Sequence, residues 1–190
     1  MAATIPIRDK KQLKDLANHF LLRGQHRNYA MIVLGACTAL RISDLLRLRW
    51  DQVYNEGRGQ FNTHLSVVEH KTGKQKTIAL NKQALAALRL LYQNHNGDYI
   101  FSNGRRKEAP ISRVQAWRII KNAVAAIGIA GKVACHSLRK TFGYHCWVEK
   151  NISPVVLMEI YNHSSYNTTR RYLGVTQDEI DSAYLGIELF

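Results

Sequence analysis

Three short stretches of the sequence hold side chains that could act together on a phosphoryl group. His136-Ser137-Leu138-Arg139-Lys140 sets an imidazole and a guanidinium at i and i+3, on one face of a helix. An Arg fork binds two phosphoryl oxygens, and an imidazole beside it takes up or gives a proton. In Leu40-Arg41-Ile42-Ser43-Asp44-Leu45-Leu46, Arg41 directly follows a strongly apolar run, so its guanidinium sits at the rim of a core. Asp44, three residues on, is placed to orient it, and the bland reading of the pair is a structural ion pair at a helix junction. Between Asn162 and Gly174 the chain carries His163, a polar turn, a threonine cap from Thr168-Thr169, and Tyr172. That tyrosine could pack or stack on a base. In a basic setting it could also be a nucleophile, because neighbouring cations favour the attacking phenolate. Cys135-His136 and His145-Cys146 invite a metal reading, but their spacing fits no usual zinc pattern and cysteine serves well as a small apolar side chain.

The elements that must position these groups are mostly helices. From Asp9, the residues Leu13, Leu16, Ala17, Phe20 and Leu21 recur at helical spacing and stop at Gly24. Residues 28–40 are almost wholly apolar and read as a helix buried at the centre of the fold; a short run follows from Asp44 to Leu48. At 65–70 and 76–80 the pattern turns β-rich around Lys71-Thr72-Gly73-Lys74, which predicts a hairpin with a basic tip. Asn81 caps a helix with the stripe Ala84, Leu85, Leu88, Leu91 and Tyr92. Ser112 caps another, with Val114, Trp117, Ile120, Val124 and Ile127 expected inward and Arg113, Arg118 and Lys121 outward, ended by Gly128 and Gly131. A further helix starts near His136, and Ser153-Pro154 opens the next in cap-then-proline order. No repeat, low-complexity stretch or linker interrupts the chain. The expected fold is a mainly helical α+β domain with one small antiparallel sheet.

Composition narrows the partner. The chain has 190 residues, 46% of them hydrophobic, with 27 Lys+Arg against 14 Asp+Glu and a net charge of +13. That length predicts one domain, and that apolar content excludes a disordered basic tail. No apolar run of membrane-spanning length occurs, and the N-terminus lacks the apolar core of a signal peptide. Three scattered cysteines point to a reducing compartment. The expectation is a cytosolic protein whose partner is a polyanion, nucleic acid first, with an anionic membrane surface or plain solubility as the bland alternatives.

In sequence order, Leu40-Arg41-x-x-Asp44-Leu45, the hairpin Lys71, His136-x-x-Arg139, His163 and Tyr172-Leu173-Gly174 resemble the tyrosine recombinase (phage integrase) family, over about residues 8–176. Any one of these motifs is weak; five in order are strong together. The resemblance implies the family's catalytic domain over 1–176, a tail helix over 177–190, and metal-free, cofactor-free phosphoryl transfer on double-stranded DNA. It makes Tyr172 the nucleophile, leaving a 3′-phosphotyrosyl link and a free 5′-hydroxyl. Arg41 and Arg139 would clamp the non-bridging oxygens, work other enzymes give to Mg²⁺. Lys71 would protonate the leaving 5′-oxygen, His136 would accept or hold the tyrosine proton, and His163 would hydrogen-bond the phosphate. Asp44 would support Arg41. The implied assembly is a homo-tetramer on DNA, with accessory DNA-bending proteins as further partners and the nucleoid as its place in the cytoplasm.

Four positions depart from the family pattern. Asp44 replaces the commoner Glu, Tyr161-Asn162 replaces Leu-Gly, Lys140 stands where His or Arg is usual, and Lys74 rivals Lys71 as the general acid. Asn tolerates the left-handed backbone that a glycine would supply. The family's usual N-terminal DNA-binding domain has no counterpart in the forty residues before Arg41, as expected of either a fragment or a minimal recombinase. The tail carries Ile180, Ala183, Tyr184 and Ile187 at helical spacing. It would pack either on its own domain or on a neighbouring protomer. The competing functions are a type IB topoisomerase, a non-catalytic DNA-binding protein and an RNA-binding protein. A binding protein needs no tyrosine at 172, and an RNA-binding protein leaves the five motifs unexplained.

Overall fold

The computed structural model describes residues 4–95, 97–104, 106–173 and 177–186; Gly174 and Ile187 of the motifs above lie outside these. Chain order is α1 (Lys10–Leu21), α2 (His26–Thr38), α3 (Ile42–Leu46), α4 (Trp50–Val53), β1 (Tyr54–Asn55), β2 (Gln60–Phe61), β3 (His64–Val68), β4 (Gln75–Ala79) and α5 (Lys82–Tyr92). Then come β5 (Ser102–Asn103), β6 (Arg106–Pro110), α6 (Arg113–Ala126), α7 (Cys135–Lys150), α8 (Pro154–Tyr161), α9 (Tyr166–Leu173) and α10 (Gln177–Leu185). The N-caps are the expected ones. Asp9 accepts from Lys11 N at 2.7 Å, Asn81 from Ala84 N at 2.8 Å, Ser112 from Gln115 N at 3.1 Å and Ser153 from Val156 N at 3.4 Å.

The apolar helix α2 lies at the centre, packed by α1, α5 and α7. Gly35 permits the last of these contacts, since a Cβ there would stand 2.7 Å from Leu138 Cδ1. Instead of one small sheet there are, among the described residues, three two-stranded antiparallel ribbons, β1–β2, β3–β4 and β5–β6. The first has only two residues per strand, too short for any alternation to show in the sequence. In the β3–β4 ribbon Leu65 faces Ile78 and Val67 faces Lys76.

Two apolar cores form among the described residues. The large one takes in α1, α2, α5, α6, the β3–β4 ribbon and Leu138 of α7. The small one consists of Ala39, Leu157, Tyr161 and Leu173, flanked by Phe142, Trp147 and Ile160. The expected face of α6 needs correction. Val114 and Trp117 are 56% and 43% exposed, while Ile120 and Val124 are buried as expected, joined by Ala116 and Ala123. Size placed Val114 and Trp117 inward in the first turns, whereas the small Ala116 and Ala123 mark where the helix comes close to its neighbours.

Candidate active site

The six expected site residues divide into five that share one electrostatic neighbourhood and one that stands apart. His136 and Arg139 enter from one face of α7, Arg41 from the N-cap of α3, and His163 and Tyr172 from the α8–α9 side. Lys71 sits on the exposed tip of the β3–β4 turn and makes no hydrogen bond or ion pair among the described residues; Lys74 is exposed as well.

Arg139 is the centre of the group, 1% exposed. Its Nη2 donates to the carbonyl of Tyr161 at 2.8 Å, and its Nη1 to the carbonyl of Ala39. Ala39 ends α2 in the left-handed region (φ 55°), which turns that carbonyl toward the arginine. The guanidinium carbon lies 4.6 Å from the Tyr161 ring centre and 5.9 Å from that of Tyr172. Tyr161 in turn donates its hydroxyl to Arg139 O at 2.8 Å. Only glycine at 143 leaves room for it, because a Cβ there would fall 2.1 Å from that hydroxyl.

The Tyr172 hydroxyl meets Nε2 of His136, with the rings edge to face at 5.0 Å. His163 lies edge-on to the same tyrosine at 4.7 Å and holds Thr169 Oγ1 through Nδ1 at 3.0 Å. Thr169 is therefore no cap; it lies inside α9, fully buried, and fixes the His163 ring. Burial drives both histidines down to about 4, helped by Arg139 and Arg41, and at His136 also by Lys140. Both imidazoles are thus neutral at pH 7. The Lys140 ammonium lies 5.6 Å from the Tyr172 ring and donates to Thr4 O at 2.5 Å. The N-terminal segment runs along α7 in this way, with Ile7 N donating to Thr141 Oγ1 at 2.8 Å and His145 Nε2 3.1 Å from Ile7 O. A groove of about 1180 Å³ opens between this segment, Val133, Arg170 and Tyr172.

The carboxylate beside Arg41 is Glu69, at 2.8 Å, and not Asp44. Asp44 is buried and accepts the backbone N–H of His70 at 3.1 Å, so it supports the start of the hairpin turn. Glu69 is fully buried and also accepts from Thr72 Oγ1 at 2.9 Å and from Asn162 Nδ2 at 3.1 Å. Burial alone would push this carboxyl up, but the hydrogen bonds from Arg41, Asn162 and Thr72 hold it below its ordinary value. Asn162 ends α8 with φ 52°, the left-handed turn that asparagine accepts in place of glycine.

Sequence reasoning missed Glu69 and Lys76. Lys76 Nζ donates to Ile160 O at 2.6 Å, and burial, with Arg139 and Arg41 adding to it, lowers its ammonium to about 8. The signal was available: Lys76 lies two residues before the buried Ile78, on the inward face of β4. Glu69 carried the same signal, since it continues the inward alternation of Leu65 and Val67, but nothing local pointed to its partners Arg41 and Asn162, 28 and 93 residues away.

Residues 8–179 match the Phage integrase family. The chain is 35% identical over 183 residues to the probable integrase/recombinase YoeC of Bacillus subtilis, 94% of each chain being covered. It is 28% identical over 172 residues to the tyrosine recombinase XerD of Mycobacterium leprae, covering 84% of this chain and 52% of that protein. The chain thus spans about half the length of that XerD. Its fold is like that of the XerH site-specific recombinase in a pre-cleavage complex with its difH substrate, with a TM-score of 0.71 at 16% identity, over 97% of this chain and 55% of that one. With match, order of motifs and fold in agreement, the chain belongs to the phage integrase family and has the fold of a tyrosine recombinase catalytic domain.

Proposed function

We propose that this chain cleaves and rejoins DNA strands at a specific site through a 3′-phosphotyrosyl intermediate. The observation that carries the reading is the contact between the Tyr172 hydroxyl and Nε2 of a neutral His136, set over the Arg139 and Lys140 cations. A neutral imidazole has a lone pair to receive the phenolic proton as the oxygen attacks phosphorus. The bond from phosphorus to the 5′-oxygen then breaks, its electron pair stays on that oxygen, and Lys71 supplies the proton. Arg41 and Arg139 hold the non-bridging oxygens, which carry the charge of the transition state. Arg139 Nε is a buried N–H without a partner among the described residues, a donor suited to a phosphoryl oxygen. His163 is the second neutral donor beside the phosphate. Attack on the phosphotyrosine by the 5′-hydroxyl of another strand reverses the chemistry and exchanges partners without ATP.

Double-stranded DNA is the substrate of this reading, supported by the +13 charge and the family. A tetramer on DNA is the proposed working assembly. Tyr184 and Leu185 at the end of α10 are 80% and 84% exposed, which supports docking of this helix on a neighbour rather than on its own domain.

A nicked duplex carrying the cognate site, incubated with protein in the absence of metal, tests the chemistry on a denaturing gel. The wild type is expected to form a covalent adduct and Tyr172→Phe to form none while still binding. No adduct from the wild type, or an adduct from the variant, would sink the assignment.

A further inference from the structure

We propose that Glu69 is a positioning residue that sets two catalytic groups at once, the Arg41 guanidinium and the Lys71 turn. The inference rests on the function proposed above. Three neighbours from distant parts of the chain converge on one fully buried carboxylate, and they all meet the same oxygen, Oε2: Arg41 at 2.8 Å, Thr72 Oγ1 at 2.9 Å and Asn162 Nδ2 at 3.1 Å. Backbone bonds reinforce the turn, since Gly73 N donates to Glu69 O at 2.8 Å and Glu69 N to Lys74 O at 2.9 Å. Lys71 lies between Glu69 and Thr72, so its backbone is held on one side by the carboxylate and on the other by the hydroxyl bonded to it. An exposed lysine with no contact of its own gets its starting position from this turn.

The same carboxylate fixes the charge balance. Arg41, Arg139 and Lys76 crowd a buried volume in which Glu69 and Asp44 are the nearby anions. An unpaired guanidinium in that volume would be costly to hold in one rotamer. Glu69 therefore keeps Arg41 ready, and Lys76, bonded to Ile160 O at 2.6 Å, pins the ribbon to the end of α8 next to Asn162. Glu69 touches no reacting atom. It acts on the leaving-group proton through the Lys71 turn, and on transition-state charge through Arg41.

These two routes are separable by the leaving group. A bridging sulfur at the 5′ position leaves as a thiolate and needs no proton, so it bypasses Lys71 but not Arg41. Adduct formation is timed in single turnover on ordinary and bridging-sulfur strands for the wild type, Glu69→Gln and Thr72→Val. Glu69→Gln is expected to slow the ordinary strand about 100-fold at near-unchanged DNA affinity, with the sulfur strand recovering part of the loss. Thr72→Val, which keeps the β-branch and removes only the hydroxyl, is expected to slow the ordinary strand about tenfold and to react with sulfur at the wild-type rate. An unslowed Glu69→Gln, or deficits equal on both strands, would overturn the proposal. Should Glu69→Gln fail to fold, the Thr72→Val comparison still decides. A wild type that forms no adduct on either strand defeats the recombinase reading itself, a different result.

Discussion

The two apolar cores differ in size and in what they carry. Among the described residues, the large core has 31 buried members and holds Arg41, the β3–β4 ribbon and the first turns of α7. The small one has four and carries Tyr172, the proposed nucleophile, with His163 stacked on its Tyr161. At about 1.5–3 kcal/mol for each fully buried large apolar side chain, the small core cannot secure the α8–α9 unit by burial alone. Polar contacts across the seam complete the join: Arg139 to Ala39 O and Tyr161 O, Lys76 to Ile160 O, and Asn162 to Glu69. Tyr172, the proposed nucleophile, thus rides on the unit with the smaller core and is kept in register by charged hydrogen bonds, two of them from Arg139, which is proposed to bind phosphate. Arg139 serves the fold through its two Nη groups and leaves its Nε, without a partner among the described residues, for the proposed phosphate.

The largest effect on this arrangement is expected from Arg139→Met. It removes the fork that ties α7 to the ends of α2 and α8 and is proposed to grip the phosphate, and adduct formation should fall by about 10³-fold or more. Hydrogen exchange in the variant should show residues 154–173 opening while α2 and α5 stay protected. Uniform loss of protection would show that the two cores are one cooperative unit. Next in size is a matched pair of cavities. Leu34→Ala in the large core and Leu157→Ala in the small one remove side chains that are 1% and 0% exposed. Leu34→Ala should lower global stability by about 2–5 kcal/mol. Leu157→Ala should cost less globally, while slowing adduct formation and loosening only the α8–α9 unit. Equal global losses would erase the distinction.

The smallest expected effect is a pH dependence confined to the seam. His136 and His163 titrate near 4 in the folded protein against 6.5 for an ordinary histidine. Between those values the unfolded chain binds more protons, so stability should fall as pH drops from about 6.5 toward 4 and be insensitive to these two groups above pH 7. A bound phosphodiester offsets the Arg139 and Arg41 charges that help depress both imidazoles. DNA binding near pH 6 should therefore take up protons, readable as a buffer-dependent heat by calorimetry. A heat independent of buffer would mean that the phosphate does not reach the two histidines.

Local chemistry was legible in the sequence, and long-range pairing was not. The caps at Asp9, Asn81, Ser112 and Ser153 act within four residues, and the hairpin around Lys71-Thr72-Gly73-Lys74 forms where the alternation changes. The order of Arg41, His136, Arg139, His163 and Tyr172 pointed to groups that the fold brings together. Asp44 was matched to Arg41 because it is near in sequence, whereas the partner came from the ribbon. Thr169 was read as a cap because threonine often is one, and only the tertiary fold directs its hydroxyl to His163. Val114 and Trp117 misled because hydrophobicity was weighed by size, while two alanines, Ala116 and Ala123, join Ile120 and Val124 in the α6 seam.

The bonds between the N-terminal segment and α7 have a mechanical consequence. Thr4, Ile5 and Ile7 are bonded to Lys140, Lys132 and Thr141, so a pull on residue 4 meets α7 and the loop just before it ahead of α1. The load would arrive within one helical turn of His136 and Arg139. Tension applied at residue 4 would be felt near His136, the proposed proton acceptor, before it reached the bulk of the domain.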